Sequence, residues 1–169
     1  MLIHVADIPP EGLRIEGTAD FPRPFLDAAW SLDELALTVE KDGDTVFVRG
    51  DLSARVPLTC GRCVEPYTVT VHPTVDARFV PAPATRGEER ELGAADLETD
   101  VYQHGTLDLT ALLETETTLA LPMKPLCRES CRGLCPVCGG NRNVTVCTCE
   151  PQAPDPRWAA LKDWAGRTR

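Results

Sequence analysis

From Leu35 the chain alternates apolar and polar positions with a period of two, the spacing of a strand that buries one face and wets the other. LALTVEK and TVFVRGDLSARVPL flank an Asp42-Gly43 turn, which predicts a β-hairpin with Leu35, Leu37 and Val39 on one face. Leu52, Ala54, Val56 and Leu58 continue the pattern, and YTVTV and TVDARFV resume it after Cys60-Gly61-Arg62-Cys63. Pro73 interrupts that last pair; it has no N–H to give a ladder, so it predicts a bulge or an edge position. The expected core is an antiparallel meander of about four to six strands with Cys60 to Cys63 at one hairpin tip.

The flanks follow other periods. LIHVADI predicts an edge strand stopped by Pro9, Pro10 and Gly12, and RPFLDAAWSLDEL predicts a short helix with Phe25, Ala28, Ala29 and Leu32 on one side. TLDLTALLETETTLALP predicts a longer helix, with Asp108 or Thr110 as its N-cap and Pro122 as its stop. Asp155-Pro156 followed by RWAALKDWAGR predicts a terminal helix that uses Trp158, Leu161 and Trp164 to cap what precedes it. Residues 81–100, rich in Pro, Ala, Gly and acids, predict a mobile acidic segment. The fold class is therefore α+β: residues 1–122 form an antiparallel β-rich domain with a few short helices, and residues 123–169 form a cysteine-rich module.

Composition narrows the picture. A chain of 169 residues with 43% hydrophobic content can bury a core of its own, and no stretch approaches the ~20 apolar residues of a membrane span. With MLIHVADIPPEG not reading as a signal peptide, the expected location is cytoplasmic. The net charge of −9 is unevenly spread: residues 1–123 carry 9 basic and 22 acidic side chains, whereas residues 124–169 carry 8 and 4. An RNA-binding surface over the whole molecule is disfavoured, because phosphate binding needs clustered Lys and Arg.

The cysteines carry the chemistry. Six of the eight fall between Cys127 and Cys149 with gaps C-x₃-C-x₃-C-x₂-C-x₈-C-x-C, among glycines and prolines that build little core. A metal ion supplies the missing folding energy, on the order of 10–16 kcal/mol for a structural zinc. Cys135-Pro136-Val137-Cys138-Gly139 reads as a knuckle, and Cys147 and Cys149 can close its site. Cys60 and Cys63 then complete a second set with Cys127 and Cys131; the rival division joins Cys127, Cys131, Cys135 and Cys138. The expected cofactor is structural zinc, one or two ions, with iron as competitor because CPVCG resembles a rubredoxin knuckle. Disulfides and a thioredoxin-like redox pair fit the context less well.

PMKPLCRESCRGLCPVCGGNRN, the later C-x-C and DPRWAALKDW, together with TCGRCVEPY upstream, resemble the YceD family, the large ribosomal RNA subunit accumulation proteins. The resemblance spans roughly residues 35 to 164; Arg142 departs from it, standing where a leucine is expected. It implies a bacterial or plastid factor that supports accumulation of large-subunit ribosomal RNA, its gene often beside that of a small basic ribosomal protein.

No phosphate-binding GxxxxGK[ST] loop or G-x-S-x-G elbow occurs, His4, His72 and His104 are scattered, and a four-thiolate metal holds no reactive water. The expectation is a binding protein, not an enzyme, with neither a small-molecule substrate nor a membrane as partner. Its expected partners are large-subunit ribosomal RNA or a pre-ribosomal particle, and a small basic ribosomal protein. Arg128, Arg132 and Arg142 are the candidate phosphate contacts, with Asn141 and Asn143 able to hydrogen-bond bases or backbone. The competing reading of these arginines is solvated charge or screening of the thiolates. The alternative functions are a rubredoxin-like electron carrier and a zinc-ribbon transcription adaptor.

Overall fold

The computed structural model describes residues 1–83, 93–150, 155 and 157. In chain order the elements are β1 (Leu2–His4), a 3-10 turn (Val5–Asp7), β2 (Leu13–Glu16), β3 (Ser31–Asp42), β4 (Thr45–Thr59), β5 (Pro66–Val71), β6 (Thr74–Pro81), α1 (Ala94–Leu97), β7 (Asp100–Tyr102), β8 (Thr106–Asp108) and α2 (Leu109–Leu119). Among the described residues no helix is long and apolar enough to cross a membrane.

The β3–β4 hairpin pairs from Asp42↔Thr45 to Ser31↔Arg55, so the Asp42-Gly43 signal lies at its turn. Its alternation puts Leu35, Leu37, Val39, Val46, Val48, Leu52 and Ala54 in the core. A six-stranded sheet runs β2-β3-β4-β6-β7, with β5 also on β4. The β2–β3, β3–β4 and β4–β6 pairs are antiparallel and the β6–β7 pair is parallel. β5 and β6 are interrupted at His72-Pro73, where Pro73 gives only its carbonyl, to the Leu52 N–H at 3.2 Å. At Gly50, in the middle of β4 (φ 149°), a Cβ would lie 1.9 Å from the Ala36 carbonyl oxygen, so only glycine lets β3 and β4 approach there.

One expectation changes. Residues 23–30 form no helix; the chain is irregular there and β3 begins at Ser31. Phe25 and Trp30 pack ring on ring at 5.5 Å, so burial of those aromatics is met without helical backbone. Leu2–His4 is a strand, as expected, and pairs with β8 in a separate two-stranded sheet. α2 meets its expectation, with the Asp108 carboxylate accepting from the Thr110 and Ala111 N–H groups at 3.0 and 3.3 Å. Of the acidic segment, residues 84–92 lie outside the described residues, and Ala94–Leu97 forms one helical turn. The terminal helix read over RWAALKDWAGR also lies outside them, apart from Asp155 and Arg157.

The chain divides into two compact units: Met1–Leu58 with Tyr67–Pro125, and Thr59–Pro66 with Leu126–Arg169. The Cys60–Cys63 knuckle, at the tip between β4 and β5, thus groups with the later cysteines. Its thiols gather there with Cys127 and Cys131.

Candidate metal centre

All eight cysteines are free thiols, and they gather in two groups of four: Cys60, Cys63, Cys127 and Cys131, then Cys135, Cys138, Cys147 and Cys149. Within each group the sulfurs lie within 4.8 Å of one another. Cys60 and Cys131 are 3.8 Å apart and Cys63 and Cys127 3.7 Å. A tetrahedron with Zn–S bonds of 2.3 Å has an S···S edge of roughly 3.8 Å, whereas a disulfide is about 2.05 Å. The donor set and its spacing therefore fit a tetrahedral metal, zinc or iron alike, and a metal bound there would act by cross-linking the loops.

The two knuckles share one backbone plan. In the first, the Val64 N–H donates to the Cys60 carbonyl and the Cys60 N–H to the Glu65 carbonyl, each at 2.9 Å. In the second, the Gly139 N–H donates to the Cys135 carbonyl at 2.9 Å and the Cys135 N–H to the Gly140 carbonyl at 2.8 Å. The residue after the second cysteine is left-handed in both, φ 61° at Val64 and 71° at Gly139. Glycine adopts that shape freely; a β-branched valine is strained in it.

Backbone N–H groups set the thiol acidities. The N–H groups of Cys127 and Cys63 draw the Cys60 thiol down to about 6, and those of Cys138 and Val137 draw Cys135 down to about 6. Burial, with the neighbouring sulfurs, pushes Cys127 up to about 12. The sulfur of Cys138, then burial, pushes Cys149 up to about 12. Each group thus contains a thiol that ionises more readily than usual and one that holds its proton until a metal displaces it.

Between the groups the Asn141-x-Asn143 pair ties the module together. The Asn143 amide donates to the Cys131 sulfur at 3.3 Å, which lowers that thiol's pKa, and to the Asn141 Oδ1 at 2.9 Å. Its Oδ1 accepts from the Arg132 N–H at 2.8 Å and from the Arg128 guanidinium at 2.9 Å. Asn141 donates to the Glu65 carboxylate at 3.2 Å, and its Oδ1 also accepts the Asn143 N–H at 3.0 Å. The side chains of both asparagines bond within the module's own frame. Sequence reasoning missed Arg62, whose guanidinium joins the first knuckle to the carbonyls of Glu129 and Cys131 at 3.1 and 3.0 Å. It also missed the carboxylate of Glu65; an arginine inside a C-x-R-C knuckle was the available signal.

Arg132 and Arg142 line one cleft of about 290 Å³ with Pro136, Val137, Thr145 and Val146, beside the second thiol group. Among the described residues neither guanidinium has a hydrogen-bond or ion-pair partner, whereas Arg128 is held by Asn143. The cleft pairs free cationic groups with exposed apolar side chains, Val137 at 53% and Val146 at 90%. That combination suits a ligand with anionic groups on an apolar or planar body.

The family model for "Large ribosomal RNA subunit accumulation protein YceD" matches residues 48–164. Uncharacterized proteins of Mycobacterium tuberculosis and Mycobacterium bovis are each 33% identical over 146 residues, 80% of this chain and 63% of theirs. An uncharacterized protein of Mycobacterium leprae is 33% identical over 137 residues, 76% of this chain and 57% of its own. The chain therefore spans less than two thirds of the length of these relatives. No solved structure matches it.

Proposed function

The chain belongs to the YceD family, and from that premise we propose that it serves ribosome biogenesis by binding, without catalysis, in the cytoplasm. Its metals are zinc, one ion per four-thiol group, and they hold the loops that present Arg132 and Arg142. Large-subunit ribosomal RNA is the ligand of that cleft: its phosphates meet the two guanidiniums and an unstacked base lies on Val137 and Val146. The observation that carries this reading is the pair of arginines, unpaired among the described residues, in one cleft of a thiol-scaffolded module. Arg128, held by the Asn143 Oδ1, is a third phosphate contact, while Asn141 and Asn143 act by holding the Arg132 loop in shape. The excess of carboxylates in residues 1–123 supports a second contact, with a basic ribosomal protein.

The test is binding of purified, metal-loaded protein to large-subunit ribosomal RNA over a range of salt. Changing Arg128, Arg132 and Arg142 together to Glu lowers affinity at least about tenfold and flattens the salt dependence, because phosphate contacts release counterions. Unchanged affinity and slope refute the RNA contact. A red, iron-bearing protein would turn the reading toward electron transfer instead.

A further inference from the structure

Within the unit formed by Met1–Leu58 and Tyr67–Pro125, a groove of about 480 Å³ opens beside α2 and β7. Its buried lining is apolar, with Phe79, Tyr102, Leu107 and Leu112. Its more open lining carries the carboxylates of Asp100, Asp108 and Glu116, and among the described residues no Lys, Arg or His lines it. Asp108 is occupied in capping α2, but neither Asp100 nor Glu116 has a side-chain hydrogen bond or ion pair among the described residues. Burial and the charge of Asp100 hold the Glu116 carboxyl above the usual carboxylate range, so the two face a common space and repel. β7 adds an open boundary, since it ends the sheet order and Val101 on it is 52% exposed.

We propose that this groove docks a lysine or arginine side chain of a basic protein partner, its aliphatic stem on the apolar floor and its cation between Asp100 and Glu116. Charge complementarity selects this occupant. A purely apolar segment would bury two like charges without a counter-ion, and a phosphate would be repelled. A long side chain with a hydrocarbon stem and a cationic tip satisfies both parts of the groove at once. The proposal rests on the reading that the acid-rich unit binds a basic protein, and it gives that reading a place.

The probe is an acetylated, amidated pentapeptide of alternating lysine and leucine, titrated into isotope-labelled, metal-loaded full chain and followed by amide chemical shifts. Saturable shifts at Val101, Gln103, Ala111, Thr115 and Glu116 are expected, and none from the glutamate–leucine counterpart. Asp100→Asn with Glu116→Gln weakens binding about tenfold, whereas Glu11→Gln with Asp20→Asn, an equal charge change outside the groove, changes it less than about twofold. The groove variant removes a repulsion, so it retains its fold. Equal weakening by both pairs would sink the groove yet leave a general attraction of the acid-rich unit for basic peptides; no binding at all would sink both. The same shifts on raising protein concentration alone, or from calcium chloride alone, would overturn the proposal in favour of a second copy or a metal ion.

Discussion

The two four-thiol groups have the same donors and the same knuckle backbone, yet they differ in shelter. In the first, Cys60, Cys63 and Cys131 are buried and Cys127 is half-buried; in the second only Cys135 is buried, and Cys138 and Cys149 are exposed. Arg62 and Asn143 brace the first with hydrogen bonds to its loop carbonyls and to a ligand sulfur. The second lies open beside the arginine cleft. Identical ligands thus yield a framework site and a surface site, and the difference comes from what surrounds the sulfurs.

The largest effect that would break this comparison comes from removing ligands. Cys131→Ser should abolish metal retention at the first group and unfold the module, since structural metal supplies most of its folding energy, on the order of 10 kcal/mol. Cys149→Ser should leave one metal bound and most of the module's amide exchange protection in place. Equal damage from both would erase the distinction. Next comes chelation: a high-affinity chelator with a colorimetric readout should release one metal equivalent quickly and the other at least about tenfold more slowly. A single phase for both equivalents would contradict unequal shelter.

Asn143→Ala probes the link between the groups. Loss of its bond to the Cys131 sulfur and of its hold on Arg132 should speed release of the slow metal about tenfold, the scale seen when an outer partner of a metal ligand is lost. The smallest effects sharpen the knuckle comparison. Gly139→Val should lower the metal-loaded module's stability by about 1–2 kcal/mol, because nothing lies within 4 Å of the new Cβ and the cost is the left-handed backbone alone. Val64→Gly should be neutral or slightly stabilising at the equivalent position. Thermal melts of both loaded variants check the pair.

Much of the strand pattern was legible because burial on one face of a sheet writes itself as a two-residue period. Leu35, Leu37 and Val39 show it, each under 5% exposed. The α2 helix was legible from Asp108 and the spacing of Leu109, Leu112 and Leu113. Residues 23–30 misled because Phe25 and Trp30 bury themselves against each other in irregular chain, and periodicity alone cannot separate that from a helix turn. The parallel β6–β7 pair and the small β1–β8 sheet are long-range pairings with no local signature.

In the candidate site the cysteines announced themselves by spacing, but spacing left two divisions open, and it is the folded chain that gathers Cys60 and Cys63 with Cys127 and Cys131. The internal roles of Asn141, Asn143, Arg62 and Glu65 did not. A polar side chain in a loop reads the same in sequence whether it faces solvent or a neighbouring carbonyl, and only the folded module shows Asn143 reaching the Cys131 sulfur.

Native mass spectrometry of the protein as purified tests the central claim most directly, because it counts metals and displaced protons on one intact chain. Two zinc ions per chain, with one lost first under mild chelation, is the result predicted by two closed thiolate sites of unequal shelter. A metal-free chain whose mass shows disulfides, or a chain that never holds more than one ion, would contradict it.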